Sequence, residues 1–326
     1  MSLWDTYYGA KELFPPKAQW TTANTTDLSG KVMLVTGGNT GIGKQTARVL
    51  LERNARVYIA CRSPEKAQAA FEDLKKSTGK TDDDVRVLEM DLASLPTVKA
   101  AVDAFLSKEN RLDVLFNSAG VMFPPMSLMT SHGHDGQFGT NLLGHFYLTQ
   151  LLLPTLLASA KTSSDQHARI INLSSNGHWW APPESQGGPV VYDTLVEGPA
   201  RTRLGIFPLY TQSKAAMVIF SKALARKYGS QGIISISMNP GGIRTELQRY
   251  TGAISLWFLQ FILYDISYGA INPIYAATTP EALQLNGQYL RPWALPFEPR
   301  ADLSNEQHQE KLWEWCEGEV KKFAPN

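Results

Sequence analysis

The sequence predicts a single α/β domain in which a mostly parallel, seven-stranded, doubly wound sheet carries helices on both faces. Short apolar runs alternate with segments of helical period from about residue 31 to residue 290. The first apolar run ends in a glycine-rich turn that leads directly into a helical segment. Hydrophobic residues make up 43% of the 326 residues and charged residues 19%, which suits one large globular core. We therefore expect right-handed crossovers, with ligands at the carboxyl ends of the strands.

The apolar runs are the strand candidates, and the intervening segments have the apolar spacing of helices. Strands are predicted at residues 31–36, 56–60, 85–90, 113–116, 168–173 and 233–238. Helices are predicted at residues 42–52, 65–76, 97–106, 136–157 and 209–228. This order divides the chain into an N-terminal arm at 1–29, the main domain at 30–290 and a C-terminal extension at 291–326.

Three segments are predicted additions to this scaffold: the polar, proline-containing arm, an insertion rich in proline and glycine at 178–207, and the C-terminal extension. A helix from Ser304 to Lys322 is expected in the extension, with Gln307 at capping-box spacing from Ser304.

Composition excludes several classes of function. A net charge of +1 without a basic block gives no support to nucleic-acid binding. Cys61 and Cys316 lie far apart and form no CxxC pair, so we expect no disulfide scaffold, no metal site and a reducing, intracellular and cytoplasmic location. His132 and His134 flank a glycine without a third ligand at a supporting spacing, which favours a surface loop.

Neither a secretory leader nor a membrane-spanning segment is expected. The first twenty residues lack the apolar stretch of a signal peptide. No uninterrupted apolar run approaches the ~18 residues of a membrane span.

The turn after the first strand, residues 36–43, has the spacing of a dinucleotide phosphate site. Gly37 permits a tight turn, Gly41 lets the backbone approach a pyrophosphate, and Gly43 lets the helix pack close to the strand. Exposed N–H groups and the helix dipole would then favour an anion. A glycine-rich turn without a ligand is the alternative. The other positions of the expected cradle are Asn39, Thr40 and Ile42.

The end of the second strand indicates which dinucleotide is preferred. An NAD enzyme usually has an acidic residue there for the ribose 2′-hydroxyl, but this chain has Ala60, Cys61 and Arg62. A guanidinium can pair with a 2′-phosphate bidentately. The sequence therefore predicts NADP(H), unless Arg62 is only a solvated surface residue.

Tyr210 and Lys214 lie four residues apart at the start of a predicted long helix, so their side chains share one face. A free tyrosine has a pKa of about 10, too high for a base near neutral pH. A lysine ammonium and a cationic nicotinamide would stabilise the phenolate and lower that pKa. The spacing alone is common, so its weight depends on the rest of the chain.

The chain resembles the classical short-chain dehydrogenase/reductase family over roughly residues 28–290. The motifs stand in the family's order at residues 36–43, 91–92, 117–120, 141, 174–175, 210–214 and 239–245. Residues 60–62, 137–141, 143–146 and 244–247 resemble the retinol-dehydrogenase-like and WW-domain-oxidoreductase-like branch. The arm and tail resemble those of fungal members, and the resemblance implies a Rossmann fold.

The resemblance also implies roles for the matching residues. Ser175 would hydrogen-bond the substrate oxygen, Tyr210 would give or take the proton, and Lys214 would also hold the nicotinamide ribose. Asn141 would hold a water that links Lys214 to solvent. Where the family usually has a second asparagine, this chain has Ser118. The remaining cofactor contacts would come from Asp91, Leu92, Asn117, Ala119, Gly120, Pro240, Gly241, Ile243 and Thr245.

The substrate side is expected to be apolar. Residues 246–266 would form a lid over the pocket, with Trp257 facing the substrate, and residues 253–264 are unusually apolar. A dimer interface or core helix, and an interfacial contact with an internal membrane, are the alternatives for this segment. His178, Trp179 and Tyr192 of the insertion are further substrate candidates.

The sequence thus predicts hydride transfer between NADP(H) and an apolar, medium-to-large carbonyl or alcohol. A non-catalytic NADP(H)-binding scaffold or redox sensor, and a dehydratase or epimerase on the same fold, are the alternatives. Family members often pair through their long helices, here those of Asn141 and Tyr210, so a homodimer is one expectation. The arm and tail could block or replace that contact.

Overall fold

A central sheet organises the molecule, and the computed structural model describes residues 3–245 and 263–323 of the chain. In the described part the sheet has eight strands, in the order β3-β2-β1-β4-β5-β6-β7-β8. The strands are β1 (Val32–Thr36), β2 (Arg56–Cys61), β3 (Val85–Glu89), β4 (Val114–Asn117), β5 (Ala168–Leu173), β6 (Ile233–Met238), β7 (Tyr289–Arg291) and β8 (Leu295–Phe297).

The predicted doubly wound sheet is confirmed, with one strand more than expected. Strands β1 to β7 pair in parallel throughout, for example with Val32 opposite Arg56. The eighth strand, β8, pairs antiparallel with β7, with Tyr289 opposite Phe297. Only residues 292–294 join the two, which is too short for a parallel crossover.

Helices lie on both faces of the sheet, and each helix predicted from the sequence is present among them. The described α-helices are α1 (Leu3–Lys11), α2 (Gly41–Glu52), α3 (Pro64–Thr78), α4 (Leu95–Leu106), α5 (Gly136–Phe138), α6 (Gly144–Thr162), α7 (Pro199–Leu204), α8 (Ile206–Tyr228), α9 (Ile266–Gly269), α10 (Ile271–Thr278) and α11 (Glu306–Phe323).

The sheet separates two apolar cores. Along β1, Val32 and Leu34 face a core shared with α4, α6 and α8, while Met33 and Val35 face a core shared with α2, α3 and α10. This alternation follows from the pleat, which points successive side chains to opposite faces. Both faces of the central strands are thereby buried, as near-continuous apolar runs require.

Both ends of the chain pack on this body. The arm, described from the sequence as polar and proline-containing, contains helix α1 and the buried carboxyl of Glu12. The predicted C-terminal helix is confirmed as α11, although the side chain of Asn305, not Ser304, caps it by accepting a hydrogen bond from Gln307 N at 2.8 Å.

Packing bears on two expectations from local sequence. Residues Gly136–Thr162 form a helical stretch long and apolar enough to span a membrane, but 67% of an 18-residue apolar part of it is buried inside the fold, as in a core helix. His134 is 1% exposed rather than part of a surface loop, because its Nε2 lies 2.9 Å from Glu319 Oε2 of α11. Sequence spacing could not foresee a contact with a residue so distant in the chain.

Candidate active site

A cleft of about 370 Å³ opens at the carboxyl ends of strands β1 to β6. This is the edge at which doubly wound sheets bind ligands, because the strand order reverses there between β1 and β4. The cleft is lined by predicted site residues from every loop: Gly37, Asn39, Thr40, Gly41, Ile42, Gly43, Arg62, Asp91, Leu92, Ala119, Gly120, Ser175, Tyr210, Lys214, Pro240, Gly241, Ile243 and Thr245.

The glycine-rich turn forms one end of the cleft. Gly37 has φ +67°, a left-handed conformation that favours glycine. A Cβ on Gly43 would lie 2.5 Å from the carbonyl oxygen of Gly37, so a side chain there would push helix and turn apart. Helix α2 starts at Gly41 without a side-chain cap hydrogen bond from Thr40, which leaves its first N–H groups to face the cleft.

Arg62 and Asp91 extend the cleft beside this turn. Arg62 follows β2 and is exposed, with its neighbours Ser63 and Lys66 also lining the cleft. Asp91 follows β3, and its Oδ1 accepts a hydrogen bond from Ala93 N at 3.0 Å. A cation and a carboxylate thus both line this part of the cleft.

Helix α8 brings Tyr210 and Lys214 to the other end of the cleft. Both side chains are 6% exposed, and Lys214 Nζ lies 5.9 Å from the centre of the Tyr210 ring. Lys214 Nζ donates to the carbonyl oxygen of Leu173 at 3.1 Å. An ammonium bonded to the end of β5 is thus held beside the phenol, as the four-residue spacing predicts.

Burial shifts both groups away from their ordinary acidity. It raises the pKa of Tyr210 to about 12, against a hydrogen bond with Ser175 that lowers it. It lowers the pKa of Lys214 to about 8. In the protein itself, desolvation of the phenolate outweighs the stabilising contact, so the predicted lowering would have to come from the charge of a bound nicotinamide.

The adjacent serines have different environments. Ser174 is buried, and its Oγ donates to the backbone carbonyl of Lys214 at 2.7 Å. Ser175 Oγ faces the cleft, accepts from Gly177 N at 3.0 Å and donates to Asn176 Oδ1 at 3.1 Å. Both serines line the cleft, but the Ser174 hydroxyl is engaged by the backbone, so Ser175 stays the predicted partner of the substrate oxygen.

Asn141 lies one layer behind the cleft, in a π-helical turn, Gly139–Leu143, of a kind frequent at functional sites. Its Oδ1 accepts from Val121 N at 2.8 Å, and its Nδ2 donates to Ser213 Oγ at 2.9 Å. A Cβ on Gly120 would lie 3.1 Å from Asn141 Oδ1 and 3.6 Å from Lys214 Nζ, which places both groups behind the same backbone.

His145 connects this turn to the glycine-rich end. Its Nδ1 lies 2.9 Å from the Asn141 carbonyl oxygen and its Nε2 lies 2.8 Å from Thr36 Oγ1. Thr36 Oγ1 also accepts from the backbone N–H groups of Ser118 and Ala119. Burial lowers the pKa of His145 to about 4, so the imidazole is neutral near pH 7.

Several predicted residues do not reach the cleft. Asn117 is buried between strands, where its Nδ2 donates to Asn172 Oδ1 at 2.9 Å. His178 is fully buried, with its ring 4.7 Å from that of Tyr289. Trp179 stacks on Tyr8 of the arm at 5.4 Å. Tyr192 instead contacts the tail helix, and Trp257 lies outside the described residues.

The cleft also contains apolar residues that were not singled out from the sequence: Met122, Leu128 and Met129. Phe123 beside them has φ +51°, an outlier for a bulky side chain, and its ring lies 5.2 Å from that of Tyr210. The place of Met122, directly after the motif at 117–120, could have indicated that it lines the cleft. No sequence pattern indicated that Phe123 lies against Tyr210.

Comparison with known proteins agrees with this geometry. The family model of short chain dehydrogenases matches residues 31–181. A short-chain dehydrogenase/reductase of Armillaria gallica is 45% identical over 312 residues, which cover 96% of this chain and 97% of that protein. Retinol dehydrogenase 11 of Mus musculus is 38% identical over 264 residues, covering 80% of this chain and 78% of that protein.

A solved structure shows the same architecture. The Pseudomonas aeruginosa RhlG/NADP active-site complex aligns with a TM-score of 0.64 and 25% identity, covering 82% of this chain and 96% of that one. The predicted family, including its fungal and retinol-dehydrogenase-like relatives, is thereby confirmed.

Proposed function

The chain belongs to the short-chain dehydrogenase/reductase family of oxidoreductases, and on this premise we propose that it transfers a hydride between NADP(H) and an apolar, medium-to-large carbonyl or alcohol. One observation carries the proposal: Ser175, Tyr210 and Lys214 meet at one end of a cleft whose other end is a glycine-rich anion cradle.

The residues at the cradle end fit a dinucleotide phosphate. The turn at 36–43 has no room for a side chain at Gly43, and the N-terminus of α2 faces the cleft. Ser118 Oγ is buried without a hydrogen-bond partner beside this groove, so a ligand atom could satisfy it. When bound, NADP(H) would supply the hydride.

Arg62 is the proposed determinant of NADP(H) over NAD(H). An exposed guanidinium lines the groove where a 2′-phosphate would lie, and β2 ends without a carboxylate in that position. The RhlG structure holds NADP in a similar fold, which supports a nicotinamide dinucleotide in this cleft.

At the catalytic end, the proposed steps follow from the contacts. Ser175 Oγ would donate to the substrate oxygen, and Tyr210 would donate its phenolic proton to that oxygen during reduction. Burial raises the pKa of Tyr210, so the phenol carries the proton that a reduction would consume. Lys214 would stabilise the phenolate that forms and bind the ribose.

Residues around Tyr210 support an apolar substrate. Met122, Leu128 and Met129 line the cleft, and the Phe123 ring contacts Tyr210 edge-on. The lid predicted at residues 246–266 lies outside the described residues up to residue 262. Its described continuation is attached to the cofactor loop, since Tyr264 N donates to Gly242 O at 2.8 Å.

The reaction is tested by replacing Tyr210 with phenylalanine. We expect Tyr210→Phe to lower kcat about a thousandfold for NADPH-dependent reduction of apolar aldehydes and ketones, because the proton donor is lost. NADPH affinity should stay within about threefold, since the phosphate contacts are elsewhere. Tyr228→Phe, at the far end of the same helix, is the matched control.

Two outcomes would overturn this reading. Wild-type protein that binds NADPH but reduces no carbonyl of a broad panel would indicate a binding scaffold. Product formation without net NADPH consumption would indicate a dehydratase or epimerase.

The cofactor preference is tested with Arg62→Asp. We expect the ratio of kcat/KM with NADPH to kcat/KM with NADH to fall roughly 10- to 100-fold, because a charge-assisted pair is replaced by repulsion. Arg203→Asp, an equal charge change at an exposed position of α7, should leave the ratio unchanged. An unchanged ratio in Arg62→Asp would reject the assignment.

A further inference from the structure

The N-terminal arm places a buried carboxyl group close to the catalytic end of the cleft. Glu12, just after α1, is 1% exposed. Its Oε1 accepts from Trp179 Nε1 at 2.8 Å, and its Oε2 accepts from Asn239 Nδ2 and from the Tyr289 hydroxyl, each at 2.8 Å. One side chain of the arm thus connects three elements that are distant in sequence.

Its contact with Asn239 leads to the loop at 239–245, which lines the cleft and is proposed to contact the nicotinamide. Asn239 Oδ1 accepts from Gly241 N at 3.0 Å, and the Asn239 carbonyl accepts from Asn272 Nδ2 at 2.7 Å. With its oxygen turned towards Gly241, the Asn239 amide must present its NH₂ to Glu12. The carboxylate therefore selects the orientation in which Asn239 shapes this loop.

Its contact with Trp179 leads to the residues that follow the catalytic serine. Trp179 belongs to the 3₁₀ segment Asn176–Trp180, which lies against the catalytic tyrosine. A Cβ on Gly177 would lie 3.2 Å from Tyr210 Cε1. The segment therefore leaves little space beside the Tyr210 ring, and a displacement of the segment would change the packing of that ring.

The arm touches the same segment a second time, through its backbone. The carbonyl oxygen of Gly9 accepts from Asn176 Nδ2 at 3.3 Å, and Asn176 Oδ1 accepts from Ser175 Oγ. This links α1 to the catalytic serine by two hydrogen bonds. Gly9 itself has no room for a side chain, since a Cβ would lie 2.7 Å from the Trp180 ring.

The partners of Glu12 also explain why a carboxylate is present. All three groups that contact it are donors, and an ionised carboxylate is acceptor-only. A buried anion is expensive to maintain, and an apolar residue of the same volume would often be tolerated at least as well for stability. The arrangement therefore points to orientation of the donors rather than to packing alone.

We propose that Glu12 is a positioning residue for the reaction, holding the 176–180 segment and the 239–245 loop at a fixed separation around Tyr210. The inference rests on the proposed function, because it assigns these two segments to the substrate oxygen and the nicotinamide. The N-terminal arm is then part of the active-site structure rather than an attachment to it.

Glu12→Gln tests the proposal, since the amide keeps the shape but replaces one acceptor with a donor. Either orientation of the amide places an NH₂ against Trp179 Nε1–H or against Asn239 Nδ2–H. We expect kcat to fall about tenfold and the NADPH dissociation constant to change less than about threefold, because misplacement affects the reacting end. With NADPH deuterated at the transferred position, the isotope effect on kcat should rise.

The isotope effect separates positioning from stability. A merely structural loss lowers the amount of active protein and leaves the isotope effect unchanged. Glu319→Gln is the matched control, because it alters a second, mostly buried carboxyl. In the described part of the chain Glu319 hydrogen-bonds to His134 and Lys322, and neither of these residues lines the cleft.

A second readout is independent of turnover. Glu12→Gln should reduce the fluorescence enhancement of bound NADPH, because a displaced 239–245 loop leaves the nicotinamide more exposed to water. Should wild type bind NADPH but reduce no carbonyl, the proposed function fails and this fluorescence alone decides the role of Glu12.

Wild-type values of the isotope effect and the fluorescence in folded Glu12→Gln would overturn the proposal. If Glu12→Gln does not fold, Trp179→Phe carries the test, since it removes only the indole donor and keeps a ring against Tyr8. It should lower kcat several-fold and raise the isotope effect. Unchanged values of both in that variant would overturn the proposal equally.

Discussion

The two ends of the chain both pack against the catalytic body but contact different parts of it. The N-terminal arm reaches the cleft through Glu12 and Gly9, which hydrogen-bond to the 3₁₀ segment and the loop beside Tyr210. The C-terminal helix α11 covers the opposite portion of helix α8, away from the cleft. An element that packs on helix α8 therefore belongs to the active site only if it contacts the part of the helix that carries Tyr210.

The tail contact combines buried rings with ion pairs, such as those of Glu310 with Arg226 and Lys227 of α8. The Trp313 ring lies 5.1 Å from Phe146 of α6 and 6.1 Å from Phe220 and Tyr228 of α8. Cys316 is fully buried in the same core. Such contacts stabilise α6 and α8 as packed helices but present no polar group to the reacting atoms.

Removing the Trp313 side chain should cause the largest change, a loss of stability without a change in the chemical step. We expect Trp313→Ala to lower the free energy of unfolding by roughly 3–5 kcal/mol, because a large buried ring is replaced by a cavity. Urea unfolding measures that loss. Under conditions where the variant stays folded, its kcat and isotope effect should match wild type, in contrast to Glu12→Gln.

A changed isotope effect in folded Trp313→Ala would break the distinction between the two ends. It would mean that strain at the far end of α8 is transmitted to Tyr210.

The molecular mass in solution tests whether the C-terminal helix α11 prevents dimerisation. Family resemblance implies pairing through the helices of Asn141 and Tyr210, yet α11 occupies a face of α6 and α8 within the same chain. We expect wild type to behave as a monomer in light scattering at micromolar concentration. A stable dimer that persists on dilution would require another face, or displacement of α11.

The smallest expected effect concerns pH. The contributions of Glu12 and Glu319 to stability should change with pH in opposite directions. Burial raises the pKa of Glu12, against hydrogen bonds from Trp179, Asn239 and Tyr289. Burial also acts to raise the pKa of Glu319, but hydrogen bonds from Lys322 and His134 outweigh it and hold the Glu319 pKa below the usual value.

For a raised pKa, stability is present at low pH and is lost as pH rises through the folded-state value. For a lowered pKa, stability is present above the unfolded-state value and is lost on acidification. The Tm difference between wild type and Glu12→Gln should thus decrease with rising pH, and that between wild type and Glu319→Gln should decrease with falling pH. Slopes of the same sign would contradict this assignment.

Much of the fold and half of the site follow from local sequence. Strands β1 to β6 are short apolar runs, and their helices have a 3.6-residue period, so their order determines a doubly wound sheet and the edge at which ligands bind. The glycine-rich turn and the Tyr210–Lys214 spacing depend only on backbone geometry within a few residues. For this reason the sequence alone could locate the cradle and the tyrosine.

Tertiary structure decided what surrounds these groups. His178 and Trp179 follow Ser175 by three and four residues, yet their rings pack against Tyr289 and Tyr8 instead of lining the cleft. Glu12 stands in a segment without a recognisable motif, and its three donors come from residues 167 to 277 positions away. Such contacts depend on how distant segments fill one volume, and neither periodicity nor spacing contains that information.

The acidity of Tyr210 shows the same division. Its place beside Lys214 is a property of helix geometry, which the sequence determined. Its pKa of about 12 reflects burial among segments 176–180, 120–123 and α8, which only the folded chain brings together. Desolvation depends on every atom that excludes water from the phenol, so only the tertiary structure decided which protonation state the site favours.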